Sequence, residues 1–268
     1  MYVKRQNNEG RQRSLIEIIN LHLTIPETSM NRSTNTWGKS RAIVGLIAGL
    51  ILTCAQTTLA QNPTPGSLPP QTYGAWGAKW WQWAFSLPAT DNPTVATGDI
   101  DCTAGQQGHV YFLAGFFSLV AEPPPPPGER MCTIPPGKAL FFPILNVECS
   151  NVEADPFYGG TKEERQACVE GLLAGEAELA VIIDGESFTD LAQDRAQSRD
   201  FKFKMPAEDN LLGLPGVTGG KSVTDGYWFF VPPLPVGEHT IEIFGKFGPD
   251  SPLFGFQTDV IYHLTVGN

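Results

Sequence analysis

The sequence predicts a mainly β protein, a two-sheet β-sandwich of immunoglobulin-like or jelly-roll type with two helical insertions. Two observations support this class. About eight or nine segments either alternate apolar and polar residues or form short apolar runs between glycine and proline residues, which is typical of strands. Only two segments have the apolar spacing or the end signals of a helix. Many short strands with few helices are typical of sandwiches.

The first 60 residues precede the predicted domain. Residues 42–53 are an unbroken run of apolar and small residues that follows several basic residues and precedes Thr58-Leu59-Ala60. This order is typical of a secretory signal peptide, and the run is shorter than the roughly 20 residues that cross a bilayer. We expect a cleaved signal at about residues 30–60, no membrane span after cleavage, and a secreted or periplasmic product. Residues 1–29 are then a mis-assigned start or a long basic segment that is removed with the signal.

The remaining 208 residues, 61–268, have the length of one domain with a complete core. Residues 61–72 are rich in proline and predict an extended arm, which leaves 73–268 for the β-sandwich. Residues 61–268 hold 11 Lys and Arg against 25 Asp and Glu, a net charge of −14. This charge excludes nucleic acid as a partner, since binding it requires cations that neutralise phosphates.

The first predicted helix is Tyr73–Pro88, which holds four of the six tryptophans of the chain. Its rings fall on two neighbouring ridges, Tyr73, Trp76, Trp80 and Trp83 on one and Trp81 with Phe85 on the other. Helical aromatic stripes mostly close a core, and that is the first interpretation. The alternative is that some rings stay exposed and stack against sugars. The candidate stacking residues are Trp80, Trp81, Trp83 and, from a later strand, Trp228.

The later segments follow in order. A capping-box pattern, Thr161-Lys-Glu-Glu164, predicts a second helix that ends near Ala174, with Ala167 among its inward residues. Asp184-Gly185 predicts a tight hairpin, and Pro143 predicts a bulge or an edge in the most apolar strand. The predicted strands are residues 109–114, 116–121, 139–149, 178–188, 201–205, 225–231, 240–244 and 257–266.

Four cysteines follow the predicted signal: Cys102, Cys132, Cys149 and Cys168. An even number in an exported chain indicates disulfides, and three pairings are available. We favour Cys102 with Cys132 and Cys149 with Cys168, because each bond then closes a loop with an irregular segment. A zinc site is the competing interpretation. Because no Cys-x-x-Cys pair is present, the spacing argues against zinc.

Several segments resemble a family of uncharacterised secreted bacterial proteins. They are Trp80-Trp-Gln-Trp83, residues 102–115, residues 137–149, Asp225-Gly-Tyr-Trp228 and residues 232–241. Together they span most of the predicted domain. The family has no established activity, so the resemblance assigns no role to any residue.

Two carboxylates are candidate catalytic groups. Glu148 follows an apolar strand and could have a raised pKa, which suits a general acid. Asp225, or Asp155, could be its partner, and paired carboxylates beside aromatic rings are typical of glycan-cleaving sites. The alternative is that Glu148 only binds backbone groups at the end of its strand.

The candidate metal ligands are four side chains in two places. If Ile241 lies opposite His263, then His239 and His263 are diagonal neighbours and could bind zinc with a nearby carboxylate. Asp99 and Asp101 alternate as at the start of a calcium loop, although the glycine and glutamate expected later in such a loop are absent. We predict no cofactor and take ordinary surface residues as the first interpretation of both pairs.

Two functions remain. The first is a secreted, disulfide-stabilised β-sandwich that binds an extracellular ligand, such as a polysaccharide or a cell-envelope component. The second is an extracellular glycan-degrading enzyme that uses Glu148 and Asp225 beside aromatic residues. It requires both carboxyls in one cleft, about 5–10 Å apart.

Overall fold

The computed structural model describes residues 70–96, 100–115, 117–119 and 126–267. The predicted signal peptide and residues 61–69 of the predicted arm lie outside them. Residues 70–72 of that arm are helical rather than extended, which corrects the prediction at its end. Across the described residues, no helix has the length and apolar character that a membrane span requires.

The described chain forms two mixed β-sheets and two α-helices, which confirms the mainly β sandwich. The helices are α1 (Pro70–Ser86) and α2 (Lys162–Leu172). The strands are β1 (Val110–Phe112), β2 (Phe117–Leu119), β3 (Gly128–Ile134), β4 (Ala139–Ser150), β5 (Glu178–Ile183), β6 (Glu186–Phe188), β7 (Arg195–Gln197), β8 (Phe201–Lys204), β9 (Gly219–Val231), β10 (Gly237–Lys246) and β11 (Phe256–Val266).

The first sheet has five strands in the order β1-β4-β9-β7, with β8 paired to β9 beside β7. The second has six strands in the order β2-β11-β10-β5-β6, with β3 also paired to β11. Strand β1 runs parallel to β4, and β3 runs parallel to β11. Strands β3 and β7 were absent from the sequence prediction, because β3 buries Arg130 and exposes Met131, against the usual polarity, and β7 is only three residues long.

Strands β4 and β9 form the centre of the first sheet. All 12 residues of β4 are buried, so both of its faces are covered. The antiparallel register runs from Leu140 opposite Val231 to Ser150 opposite Ser222, and it shifts between Pro143 and Leu145. Proline cannot donate to the ladder, so the bulge predicted at Pro143 is confirmed.

One hydrophobic core lies between the two sheets. It contains Phe142, Leu145 and Val147 of β4 and Tyr262 and Leu264 of β11. A second core lies on the outer face of the first sheet, where α1 packs. The side chains of this second core include Trp80, Trp83, Phe141, Phe203 and Trp228. The protein therefore has three layers, with α1 outermost.

Two glycines let α1 approach the sheet closely. A β-carbon at Gly74 would lie 2.3 Å from the carbonyl oxygen of Gln197 in β7. One at Gly77 would lie 2.6 Å from the ring of Trp228. That ring is fully buried and stacks on Phe141, with centroids 5.5 Å apart. The helix can lie flat on β9 only because these two positions lack side chains.

Helix α2 begins as predicted. The Thr161 hydroxyl accepts the Glu164 backbone N–H at 3.1 Å, and the Glu164 carboxylate accepts the Thr161 N–H at 2.8 Å. Its buried residues include Arg165, which donates to Asp200. Ala167 is exposed, so its predicted inward position was wrong.

Both favoured disulfides are confirmed. Cys102–Cys132 joins the turn before β1 to β3 and so links the two sheets, with Cα atoms 5.7 Å apart. Cys149–Cys168 joins the end of β4 to α2, with Cα atoms 6.2 Å apart. They close loops of 30 and 19 residues, and a loop of this size contributes about 3–4 kcal/mol in the chain-entropy account.

The β5–β6 hairpin is also confirmed. Its two turn residues, Asp184 and Gly185, have φ values of 51° and 82°. These values suit a primed two-residue turn, which explains why Asp-Gly stands there.

The close contact at Gly77 predicts the effect of a single methyl group. We expect Gly77→Ala to lower the free energy of unfolding by roughly 1–3 kcal/mol, because the added carbon meets a buried ring that cannot move aside. Chemical denaturation of both proteins measures the difference. Gly171→Ala is the matched control: it lies in α2 with nothing within 4 Å of an added carbon, and should stabilise by up to about 1 kcal/mol. Equal behaviour of the two variants would contradict the proposed packing.

Candidate functional site

The four candidate stacking tryptophans are buried. Trp80, Trp81, Trp83 and Trp228 are at most 7% exposed. Three of their indole N–H groups donate to backbone carbonyls: Trp80 to Leu113 at 2.8 Å, Trp83 to Ala104 at 2.9 Å and Trp228 to Ala196 at 3.0 Å. These rings are buried in the second core and form no exposed stacking platform, so the alternative interpretation was wrong. The first interpretation, a helix that closes the core, agrees with their burial.

Trp76 is the helix tryptophan that remains partly exposed. Its ring packs against Phe112 and Phe141, with centroids 6.2 and 6.1 Å away. The ammonium of Lys79 lies 4.0 Å from the ring centroid. A cation over the ring covers the face that a sugar would use.

A cleft lies between α1, the bulge of β4 and the start of β11. It has an inner volume of about 20 Å³, which holds one water-sized group, and about 380 Å³ when its opening to solvent is included. The apolar walls come from Trp80, Pro143, Leu145 and Leu211, and Thr94 and Thr258 complete the lining beside Gly115.

Two buried hydrogen-bond donors on residues that line this cleft have no partner. They are the indole Nε1 of Trp81 and the amide Nδ2 of Asn146, and both residues line the cleft. Trp81 is 5% exposed and Asn146 is 3% exposed. A buried donor without a partner costs about 1–3 kcal/mol, and nearly all such groups are paired in native proteins. Both of these exceptions belong to residues that line one cleft.

The bulge and one glycine set the position of Asn146. Because the register of β4 shifts before Leu145, Asn146 lies opposite Gly226 of β9. A β-carbon at Gly226 would lie 2.6 Å from the β-carbon of Asn146. The sequence suggested Trp81 as a site residue because of its ring, but it did not suggest Asn146. The available signal was a polar residue inside an apolar run, residues 139–147.

Among the described residues that line the cleft there is no acid, base or thiol. General acid–base or nucleophilic catalysis needs such a group within hydrogen-bond reach of the substrate. The cleft combines apolar walls with a few polar side chains, a composition that small-molecule sites share.

The two candidate catalytic carboxylates lie on opposite faces of the first sheet. Glu148 pairs with Thr224, and Asp225 pairs with Val147. Val147 belongs to the core between the sheets, so Asp225 points there, whereas Glu148 points to the outer face. The predicted pairing of Glu148 with Asp225 in one cleft was wrong, because neighbouring positions of a strand alternate between faces.

Asp225 has a structural partner. Its carboxylate accepts Arg195 Nη2 at 2.8 Å, and this side chain of β7 lies over the ring of Tyr227. The hydrogen bond that Arg195 donates to Asp225 raises the pKa of Arg195, against the opposing effect of burial. Asp155, the other candidate partner, is exposed after β4.

Glu148 instead forms a buried pair with Glu153. The two carboxyls hydrogen-bond to each other, which requires one of them to hold a proton. Ser222 donates to Glu148, and Ser150 donates to Glu153 at 2.7 Å. Both residues are less than a tenth exposed.

Burial determines where this proton lies. Loss of solvation raises the pKa of Glu153 well above its ordinary value, and the charge of Glu148 raises it further. Burial also raises the pKa of Glu148, while hydrogen bonds from Glu153 and Ser222 lower it. Glu153 is therefore the protonated member and Glu148 the carboxylate. The pair joins the end of β4 to its turn and lines no described cleft.

The two candidate zinc ligands are separated by the second sheet. His263 lies opposite Thr240 rather than Ile241, and His239 lies opposite Leu264. Leu264 faces the core, so His239 and His263 point to opposite faces. A shared metal site was therefore a wrong prediction, because the true register is shifted by one residue.

Each histidine has an acidic neighbour of its own. His239 Nδ1 lies 2.7 Å from Asp184 Oδ2, and His263 Nε2 lies 3.8 Å from Glu129. Burial opposes the charge of His239, but its bonds to Asp184 and Pro235 raise its pKa. Within the described ranges, no group of three potential ligands could hold a metal ion.

The candidate calcium pair is only partly described, since Asp99 lies outside the described residues. The Asp101 carboxylate accepts the backbone N–H of Thr103 at 2.9 Å and its hydroxyl at 2.7 Å. These bonds lower the pKa of Asp101 and form an Asx-turn. The described half of the pair thus has a turn-forming role.

The Glu148–Glu153 pair predicts a pH effect on stability. Because the folded-state pKa of Glu153 is raised, its contribution is full below about pH 4.5 and is lost as pH rises through the folded value. Glu153→Gln keeps a neutral donor toward Glu148 at every pH. We expect thermal unfolding midpoints of this variant to gain on the natural protein progressively above about pH 5.

The matched control for that experiment is Glu186→Gln, which alters an exposed carboxyl in β6. Its midpoints should follow those of the natural protein across the same pH series. Parallel curves for Glu153→Gln and the natural protein would show that no buried proton is shared.

Comparison of the chain with protein-family models, with curated proteins and with solved structures finds no match.

Proposed function

We propose that this protein is an exported, disulfide-stabilised β-sandwich that binds an extracellular ligand of the polysaccharide or cell-envelope class. One observation carries the proposal: two residues that line the cleft beneath α1, Trp81 and Asn146, have unpaired donors, and no described residue of the lining is titratable. A site of this composition binds a ligand without transforming it.

The other chemical groups of the chain support binding over catalysis. Glu148 is paired with Glu153, Asp225 with Arg195, and His239 with Asp184. Each of these groups has a hydrogen-bond or ion-pair partner within the protein. The glycan-degrading alternative has lost the carboxylate pair on which it depended, so we retain the binding function alone.

Export is supported by two independent features. Two disulfides are stable in an oxidising compartment and rare in reducing ones. The basic, apolar and small-residue order of residues 30–60 is typical of a secretory signal. The net charge of −14 after residue 60 also favours a neutral ligand over an anionic one.

Thermal unfolding of the full chain against a panel of polysaccharides tests this function. A ligand that prefers the folded state raises the midpoint, by an amount equal to about 2.7 kcal/mol of stability at one hundred times its Kd. We expect one class of neutral glycan to raise the midpoint, with no release of new reducing ends on long incubation.

Calcium, zinc and EDTA serve as controls in the same panel. A midpoint that rises with a metal and falls with EDTA would direct attention away from the cleft. Glycan cleavage, or a panel in which no glycan or envelope polymer has an effect, would contradict the proposed function.

A further inference from the structure

We propose that the cleft beneath α1 binds the acetamido group of an N-acetylated amino sugar. This inference rests on the proposed function and names the chemistry of its ligand. The group has one carbonyl oxygen, one methyl group and one amide N–H. The donors, the size and the apolar walls of the cleft each match one part of this group.

The two unpaired donors favour an uncharged acceptor over a charged one. Trp81 Nε1 and Asn146 Nδ2 are both N–H donors, and a carbonyl oxygen has two lone pairs with which to accept both. A carboxylate would accept them too, but no cationic side chain lines the cleft to offset its burial. The negative charge of the chain after residue 60 also repels anions.

The size of the cleft and its apolar walls favour a small ligand group with an apolar end. The inner volume of about 20 Å³ holds one water-sized group, which suits a carbonyl oxygen. Leu145 and Leu211 provide apolar surface for a methyl group, as do the rings of Trp80 and Pro143. The wider opening leaves the sugar ring and the amide N–H toward solvent.

The contrast among the tryptophans favours a ligand at this position. Trp80, Trp83 and Trp228 all donate to backbone carbonyls, so the fold satisfies its indole groups where it can. Trp81 is equally buried but donates to nothing in the protein. An external carbonyl supplies the bond that the other three obtain internally.

Indole NMR of the full chain tests the proposal directly. The chain has six tryptophans, so the ¹⁵N-labelled protein has six indole signals, and Trp81→Phe identifies one of them by its loss. We expect acetamide and an N-acetylglucosamine oligomer to move the Trp81 signal downfield more than any other. A glucose oligomer of the same linkage, which lacks the acetamido group, should leave it in place.

Binding affinities of variants provide the second measurement. Trp81→Phe and Asn146→Leu each remove one donor, and each should weaken binding of the N-acetylglucosamine oligomer by roughly three- to ten-fold. The matched control is Trp83→Phe, which removes an indole donor that is bonded to Ala104 and does not line this cleft. Its affinity for the oligomer should equal that of the natural protein.

The outcomes separate this inference from the proposed function. If the oligomer binds and neither the Trp81 signal nor the affinity of the variants changes, the cleft is the wrong site, but the binding function stands. If the glucose oligomer binds as well and moves the same signal, the acetamido specificity is wrong. If no probe moves the Trp81 signal while another polymer raises the unfolding midpoint, the cleft holds only water. The acetamido inference is then wrong, and the binding function stands.

Discussion

The antiparallel pairing of β4 with β9 is the constraint on which the rest of the structure depends. Both strands are covered on both faces, by the second sheet on one side and by α1 on the other. Beyond the first three residues of β9, each residue of this pair therefore faces one of two cores, and alternation along the strand decides which. The bulge at Pro143 changes that assignment partway along β4 and opens the cleft where Asn146 lies.

Burial of so many polar side chains between these layers is stabilising only when each has a partner, because an orphaned group costs about 1–3 kcal/mol. Glu148 and Glu153 meet this requirement by sharing a proton, and Asp225 meets it through Arg195. The unpaired donors of Trp81 and Asn146 are the exceptions among the described side chains. Both residues line the cleft beneath α1, which is why the proposed binding function is placed there.

The carboxyl pair and the cleft show two uses of the same outer face. Near its end, β4 turns Glu148 toward Glu153 in a closed, fully bonded cluster that ties the strand to its turn. Near the bulge, the same face leaves donors toward an opening. The carboxyls in the first setting are bonded to neighbouring side chains, whereas no described residue that lines the second setting is charged. Neither setting supplies the two accessible carboxyls of a glycosidase.

The sequence by itself determined the local features: the capping box at Thr161, the Asp184-Gly185 turn, the bulge at Pro143, the mainly β class and the disulfide partners. Each depends on residues close together in the chain or on a small set of pairings. Only the tertiary structure decided which faces Glu148, Asp225, His239 and His263 occupy, that Trp80, Trp81, Trp83 and Trp228 are buried, and that Asn146 and Trp81 line one cleft. These depend on strand register, and a shift of one residue moves every side chain of a strand to the opposite face.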